Sequence, residues 1–126
     1  MPIRVLIADD NELLRIGVRT LIELNRDWVI CGEASDGDEA IAKALALAPD
    51  VVVLDLSMPM LNGFRAAEEI RRASPSTKII FLSVHDVPAT ASAAGADAFV
   101  SKASPAELLI STIERVSKKP TALRGS

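Results

Sequence analysis

The chain has 126 residues, 49% of them hydrophobic and 25% charged, with a net charge of −3 at pH 7. That length suits one domain around one core, and the mixed charge excludes a disordered polymer. The acidic balance argues against nucleic-acid binding by these residues alone, and a single histidine beside a single cysteine excludes the usual zinc sites. No apolar run approaches the roughly 18 residues that span a membrane. The start, Met1-Pro2-Ile3-Arg4, lacks a signal-peptide layout. A soluble cytoplasmic protein with no membrane partner is the expectation.

Ile3 to Ala8 is short, rich in β-branched residues and ends at two aspartates, which predicts a buried strand. Asn11 is placed to cap a helix. Leu14, Gly17, Val18, Leu21 and Ile22 then recur at helical spacing and predict one buried face. Trp28 to Ala34 reads as a second strand, and lone Cys31 within it as a small, quiet residue. Ser35-Asp36-Gly37-Asp38-Glu39 is a turn and helix start, with acids where the helix dipole favours them. Ala40, Ile41, Ala44, Leu45 and Ala48 form the predicted stripe of that helix, and Pro49-Asp50 stops it.

Val51 to Leu54 is the most apolar run and leads straight into Asp55. Such strands are buried on both faces, as in parallel sheets. Pro59 and Asn62-Gly63 mark a loop, and Phe64, Ala67 and Ile70 begin a third helical stripe. Lys78 to Leu82 predicts a fourth strand ending at Ser83, and Ala98 to Val100 a short fifth ending at Ser101-Lys102. Ser104-Pro105-Ala106-Glu107 opens a last helix whose face is Leu109, Thr112, Ile113 and Val116. Residues 118–126 have no period and read as a linker or disordered tail after a domain over 1–117. Strand–helix alternation implies an α/β fold, a five-stranded parallel sheet with helices on both faces. The pattern does not give the strand order.

Open parallel sheets bind ligands beyond the carboxyl ends of their strands. Those ends carry Asp9 and Asp10, Asp55, Ser83 and Lys102. A single aspartate after a strand is often only a turn former. Three carboxylates, a hydroxyl and an ammonium on one rim are more than helix ends require. Clustered carboxylates repel, and a hard cation such as Mg²⁺ compensates them. A carboxylate can also be the nucleophile that forms an acyl phosphate, with the hydroxyl and lysine holding phosphoryl oxygens. Taken singly, Phe99 reads as core and His85 as a solvated loop residue.

With those residues in place, the sequence resembles a response-regulator receiver domain of bacterial two-component systems. The matching runs are Ile7-Ala8-Asp9-Asp10, Val53-Leu54-Asp55-Leu56-Ser57-Met58-Pro59, Gly63, Ser83, Gly95-Ala96-Asp97 and Lys102-Ala103. Gly32-Glu33-Ala34 and Leu82-Ser83-Val84-His85-Asp86 look most like the NarL/FixJ/LuxR-like subfamily, which carries a C-terminal helix-turn-helix. The resemblance implies a flavodoxin-like strand order and a switch activated when a histidine kinase phosphorylates Asp55. It implies Asp10 as a direct Mg²⁺ ligand, Asp9 as its water-mediated neighbour, and the Ser57 backbone carbonyl as a further ligand. Ser83 is similar to the hydroxyl that follows the phosphoryl group, Lys102 to the phosphate-binding lysine and Phe99 to the aromatic switch. Ser57 and His85 stand where receivers tune dephosphorylation. Chemistry of this kind makes the chain a catalyst only of its own phosphorylation and dephosphorylation.

From Ser83 to Lys102 the chain is roughly three residues, about one helical turn, shorter than receivers usually have. Residues 87–95 hold one sizeable apolar side chain, Val87, so the helix between strands four and five is expected to be short and mobile. Partners implied are a sensor histidine kinase, a second copy through the first and last helices or the face beside strand five, and DNA only through an output domain outside this chain. The alternatives are a stand-alone or degenerate receiver working without phosphorylation, and an aspartyl-nucleophile phosphatase. A nucleotide-binding fold fails because Asp9-Asp10-Asn11-Glu12 is acidic where phosphates would sit.

Overall fold

The computed structural model describes residues 2–56, 63–83, 96–103 and 106–118. Val51 to Asp55 is buried at every position, so this strand must be covered on both sides. It is the centre of the sheet. The strands are β1 (Ile3–Ala8), β2 (Trp28–Ala34), β3 (Val51–Asp55), β4 (Lys78–Ser83) and β5 (Ala98–Ser101). They lie in the order β2-β1-β3-β4-β5, and every pair is parallel. The expected flavodoxin-like order is therefore present. Four helices are described: α1 (Glu12–Glu23), α2 (Gly37–Leu47), α3 (Gly63–Ala73) and α4 (Ala106–Ser117).

Alternate residues of the strands divide the core in two, because side chains of a strand point to opposite faces. Leu6, Ala8, Val52, Leu54, Ile79 and Phe81 pack under α2 and α3. Val5, Ile7, Val51, Val53, Ile80 and Leu82 pack under α1 and α4. The cap expected at Asn11 forms, and Asp36 caps α2 in the same way. The Asn11 Oδ1 accepts from the Leu14 amide at 3.1 Å, and the Asp36 Oδ1 accepts from the Glu39 amide at 2.8 Å.

The stripe of α4 is buried as predicted at Leu109, Thr112, Ile113 and Val116. Two other stripes are narrower than their spacing suggested. On α1 only Ile22 is buried, while Leu14 is 40% exposed. The reason is a cleft of about 560 Å³ between α1 and α4, lined by Leu13, Leu14, Gly17, Val18 and Leu109 among others. On α2, Leu45 is exposed and only Ala40 and Ala44 of the stripe are buried. Ala48 leaves the helix in a left-handed conformation, φ 47°, so the chain turns away before Pro49. Cys31 is half-buried in β2, and burial pushes its thiol pKa up, which suits a quiet residue. The short helix expected over 87–95, the loop at Pro59 and Asn62, the Ser104-Pro105 helix start and the tail from residue 119 lie outside the described residues.

Candidate functional site

The strand register sets the site. Leu54 pairs with Ala8 on one side and Phe81 on the other, so β1, β3 and β4 end at nearly one level. Asp9 follows β1 directly, and Asp55 closes β3 beside Leu82. Both are 1% exposed, whereas Asp10 faces solvent. One oxygen from each of Asp9, Asp10 and Asp55 lies within 4.8 Å of the others.

Lys102, just past β5, reaches back over β4. Its Nζ stands 3.2 Å from the Asp9 Oδ2 and 3.2 Å from the Asp55 Oδ2. The Lys102 amide donates to the Ser83 carbonyl at 2.7 Å, which fixes the root of the lysine to the end of β4. Burial works against the ammonium charge, yet the pull of Asp55 and Asp9 together raises its pKa. Asp9 shifts upward as well. Burial is the main cause and the Asp55 charge adds to it, against the Asn11 amide, which donates to the Asp9 Oδ1 at 2.9 Å.

Of the residues expected at the rim, Asp9, Asp10, Asp55 and Lys102 converge. Ser83 stands at the same edge, opposite Ser101 in the register of β4 and β5. Phe99 lies opposite Phe81 and is 42% exposed, so the reading of it as a core residue does not hold. Ser57 and His85 lie outside the described residues. The donor set is three carboxylates, hard oxygen ligands, one of them open to water. It fits Mg²⁺, which takes few carboxylates and keeps several waters.

Sequence reading missed two supports. Arg15 donates from Nη1 to the Asp9 carbonyl at 2.6 Å, and its Nε lies 3.2 Å from the Glu33 Oε1. Its signal was available: a cation in the opening turns of a helix opposes the dipole there. Arg71 of α3 bonds the Asp97 carboxylate at 2.7 Å and the carbonyls of Pro75 and Thr77 at 2.9 Å each. Asp97 also accepts from the Ile79 amide at 2.8 Å, tying the start of β5 to β4. Only distances between elements reveal this clasp.

Comparison with known proteins agrees with the geometry. The family model "Response regulator receiver domain" matches residues 5–114. The response regulator UvrY of Escherichia coli K12 is 38% identical over 117 residues, and the nitrate/nitrite response regulator protein NarL of the same strain is 37% identical over 118. Each alignment takes in 90% of this chain and 54% of the relative, so the chain spans about half the length of these proteins. Among solved structures, the response regulator domain of Thermotoga maritima CheB superposes with a TM-score of 0.87 at 30% identity, covering 95% of this chain and 99% of that one. A LuxR-family two-component response regulator from Aurantimonas superposes with a TM-score of 0.88 at 32% identity, covering 93% and 86%. The chain belongs to the response regulator receiver domain family.

Proposed function

We propose that Asp55 accepts a phosphoryl group from a phosphohistidine of a sensor kinase, and that this switches an output. The observation that carries it is the position of the Asp55 carboxylate: buried at the end of the central strand, in reach of Lys102 and among the oxygens of Asp9 and Asp10. An Asp55 oxygen attacks phosphorus. The new acyl P–O bond forms as the bond to the donor breaks, and the electron pair leaves with the imidazole nitrogen. Lys102 exchanges part of its contact with Asp55 for phosphoryl oxygens, and the Ser83 hydroxyl takes another. Asp9, Asp10, Asp55 and the Ser57 carbonyl would hold Mg²⁺. When bound, the ion offsets the carboxylates and the charge of the group in transfer. Phe99, standing exposed beside Phe81, is the side chain free to follow Ser83, and Ser57 and His85 govern dephosphorylation. The LuxR-family and NarL likenesses support transcription as the output, exerted through a DNA-binding segment beyond these residues. Residues 118–126 are read as the linker to it.

Dimerisation through α1 and α4 is the favoured mode of assembly, with the exposed Leu13 of α1 and Leu24 just after it as contacts.

Incubation with acetyl phosphate and Mg²⁺ tests the central reading. One phosphoryl group should be added to the parent and none to Asp55→Ala, and Asp10→Asn should impair labelling far more than Glu12→Gln. Undiminished labelling of Asp55→Ala would overturn the assignment.

A further inference from the structure

Arg15 is the fourth residue of α1, where the amide ends of the helix already present positive charge. A cation there costs local stability, and sequences break such local rules mainly at functional sites. Its surroundings explain the exception. The Arg15 side chain is only 17% exposed. Its Nη1 donates to the backbone carbonyl of Asp9 at 2.6 Å while its Nε faces Glu33 at 3.2 Å. The other Glu33 oxygen takes Arg19 at 2.7 Å, one helical turn further along α1. Glu33 is thus gripped by two guanidinium groups and cannot turn without moving both.

The Asp9 carboxylate has little freedom of its own. Its Oδ1 accepts from the Asn11 amide, its Oδ2 faces Lys102, and its backbone N–H donates to the Ala34 carbonyl at 3.0 Å. The Asp9 carbonyl belongs to the Asp9–Asp10 peptide, so what holds that oxygen sets the direction in which Asp10 leaves the strand. Asp10 is the exposed member of the acidic trio.

We propose that Arg15 is a positioning residue: braced by Glu33, it orients the Asp9–Asp10 peptide so that the Asp10 carboxylate faces Asp55 and Asp9 in the geometry that binds a divalent cation. The inference rests on the reading of the acidic trio as a cation site. Partners that orient ligands in this indirect way commonly contribute about tenfold in metal affinity when removed. Arginine is needed because its planar fork meets a carbonyl and a carboxylate at once, whereas a lysine ammonium is a single point.

The test is titration of the ¹⁵N-labelled 126-residue chain with Mg²⁺ alone, followed through the amide resonances of residues 9–11. Arg15→Met should weaken binding about tenfold and shift those resonances before any Mg²⁺ is added. Arg15→Lys should recover part of the loss. Glu33→Gln should weaken binding less, and the double variant Arg15→Met/Glu33→Gln should be no weaker than Arg15→Met, because Glu33 acts through Arg15. If Arg15→Met fails to fold, Arg15→Lys and Glu33→Gln carry the comparison. Binding by Arg15→Met within twofold of the parent (or by Arg15→Lys equal to the parent, where Arg15→Met does not fold), or losses that simply add, overturns the proposal. A parent chain that binds no Mg²⁺ overturns the cation-site reading itself, which separates the two failures.

Discussion

The Lys102 Nζ lies 3.2 Å from the Asp55 Oδ2, across the ends of two strands, β5 and β3, that are not neighbours in the sheet. The lysine spans β4 to reach a carboxylate that is 1% exposed, and it meets Asp9 in the same way. One ammonium therefore balances two buried acids whose charges oppose each other.

Replacing that lysine should show the balance. In Lys102→Met the two acids lose their shared cation, a change expected to cost about 2 kcal/mol without divalent ions. Urea unfolding reads it as a lower midpoint at constant slope. Added Mg²⁺ should stabilise the variant more than the parent, and equal stabilisation of both would refute this account. The pH sign is also fixed. A lysine raised above its ordinary 10.5 contributes its full stability below that value and loses it as pH climbs through the folded pKa. On the alkaline side the parent's advantage over Lys102→Met should thus persist through neutral pH and fade in strong alkali.

The Arg71–Asp97 clasp bears on the same lysine from further away. The Asp97 side chain is 2% exposed and holds both Arg71 and the Ile79 amide. Asp97→Ala removes an acceptor from a half-buried guanidinium and from a strand amide, and should cost about 3 kcal/mol. Arg71 keeps the carbonyls of Pro75 and Thr77, so the loss should not reach global unfolding. Amide hydrogen exchange should quicken across β5 before it quickens in β1 or β3. Equal acceleration in all three strands would show that Asp97 supports the core at large, with no special part in placing β5.

Much of this site could be read before any coordinates because Asp9, Asp55 and Lys102 each close an apolar strand, and a parallel sheet gathers such ends on one rim. What pattern cannot carry is distance between elements. The acceptors of Arg15 and Arg71 come within 3 Å of them only in the folded chain. The helical stripes failed in a related way. Spacing says which residues share a face, but the width of the covered band depends on the neighbour. Leu14 and Leu45 share a face with buried residues and lie beyond the edge of what covers them.

The start of α2 supplies a second pH-dependent element. The Glu39 carboxylate accepts from the Ser35 amide at 2.6 Å, while Asp36 caps the same turn from the other direction. The Ser35 amide bond lowers the Glu39 pKa below its ordinary 4.5. A carboxyl with a depressed folded pKa contributes stability above the unfolded value and loses it as pH falls through the folded one. Because the side chain is 39% exposed, the effect is small, on the order of 0.5 kcal/mol for Glu39→Gln at pH 7. The variant and parent should converge in stability as pH falls through the lowered folded value. A gap that does not narrow on acidification would trace the loss to packing of the side chain, with its charge irrelevant.

Gly17 lies inside α1, where glycine costs about 0.5–1 kcal/mol relative to alanine. A Cβ built there meets nothing within 4 Å, because the position faces the cleft shared with α4. Gly17→Ala should therefore stabilise the chain by about 0.5–1 kcal/mol, through restricted freedom of the unfolded chain, without disturbing a neighbour. Larger apolar groups should behave differently. Gly17→Leu adds the same helix preference and also places a side chain against the apolar wall formed by Val18 and Leu109. If that cleft is rigid, burial at roughly 25 cal/mol per Å² adds further stability to that of alanine. The alanine methyl meets nothing within 4 Å, so labelling of Asp55 by acetyl phosphate should be unchanged in Gly17→Ala. Thermal unfolding of the pair decides between rigid and yielding walls: Leu above Ala means a preformed cleft, and Leu below Ala means that α1 and α4 close over it in solution.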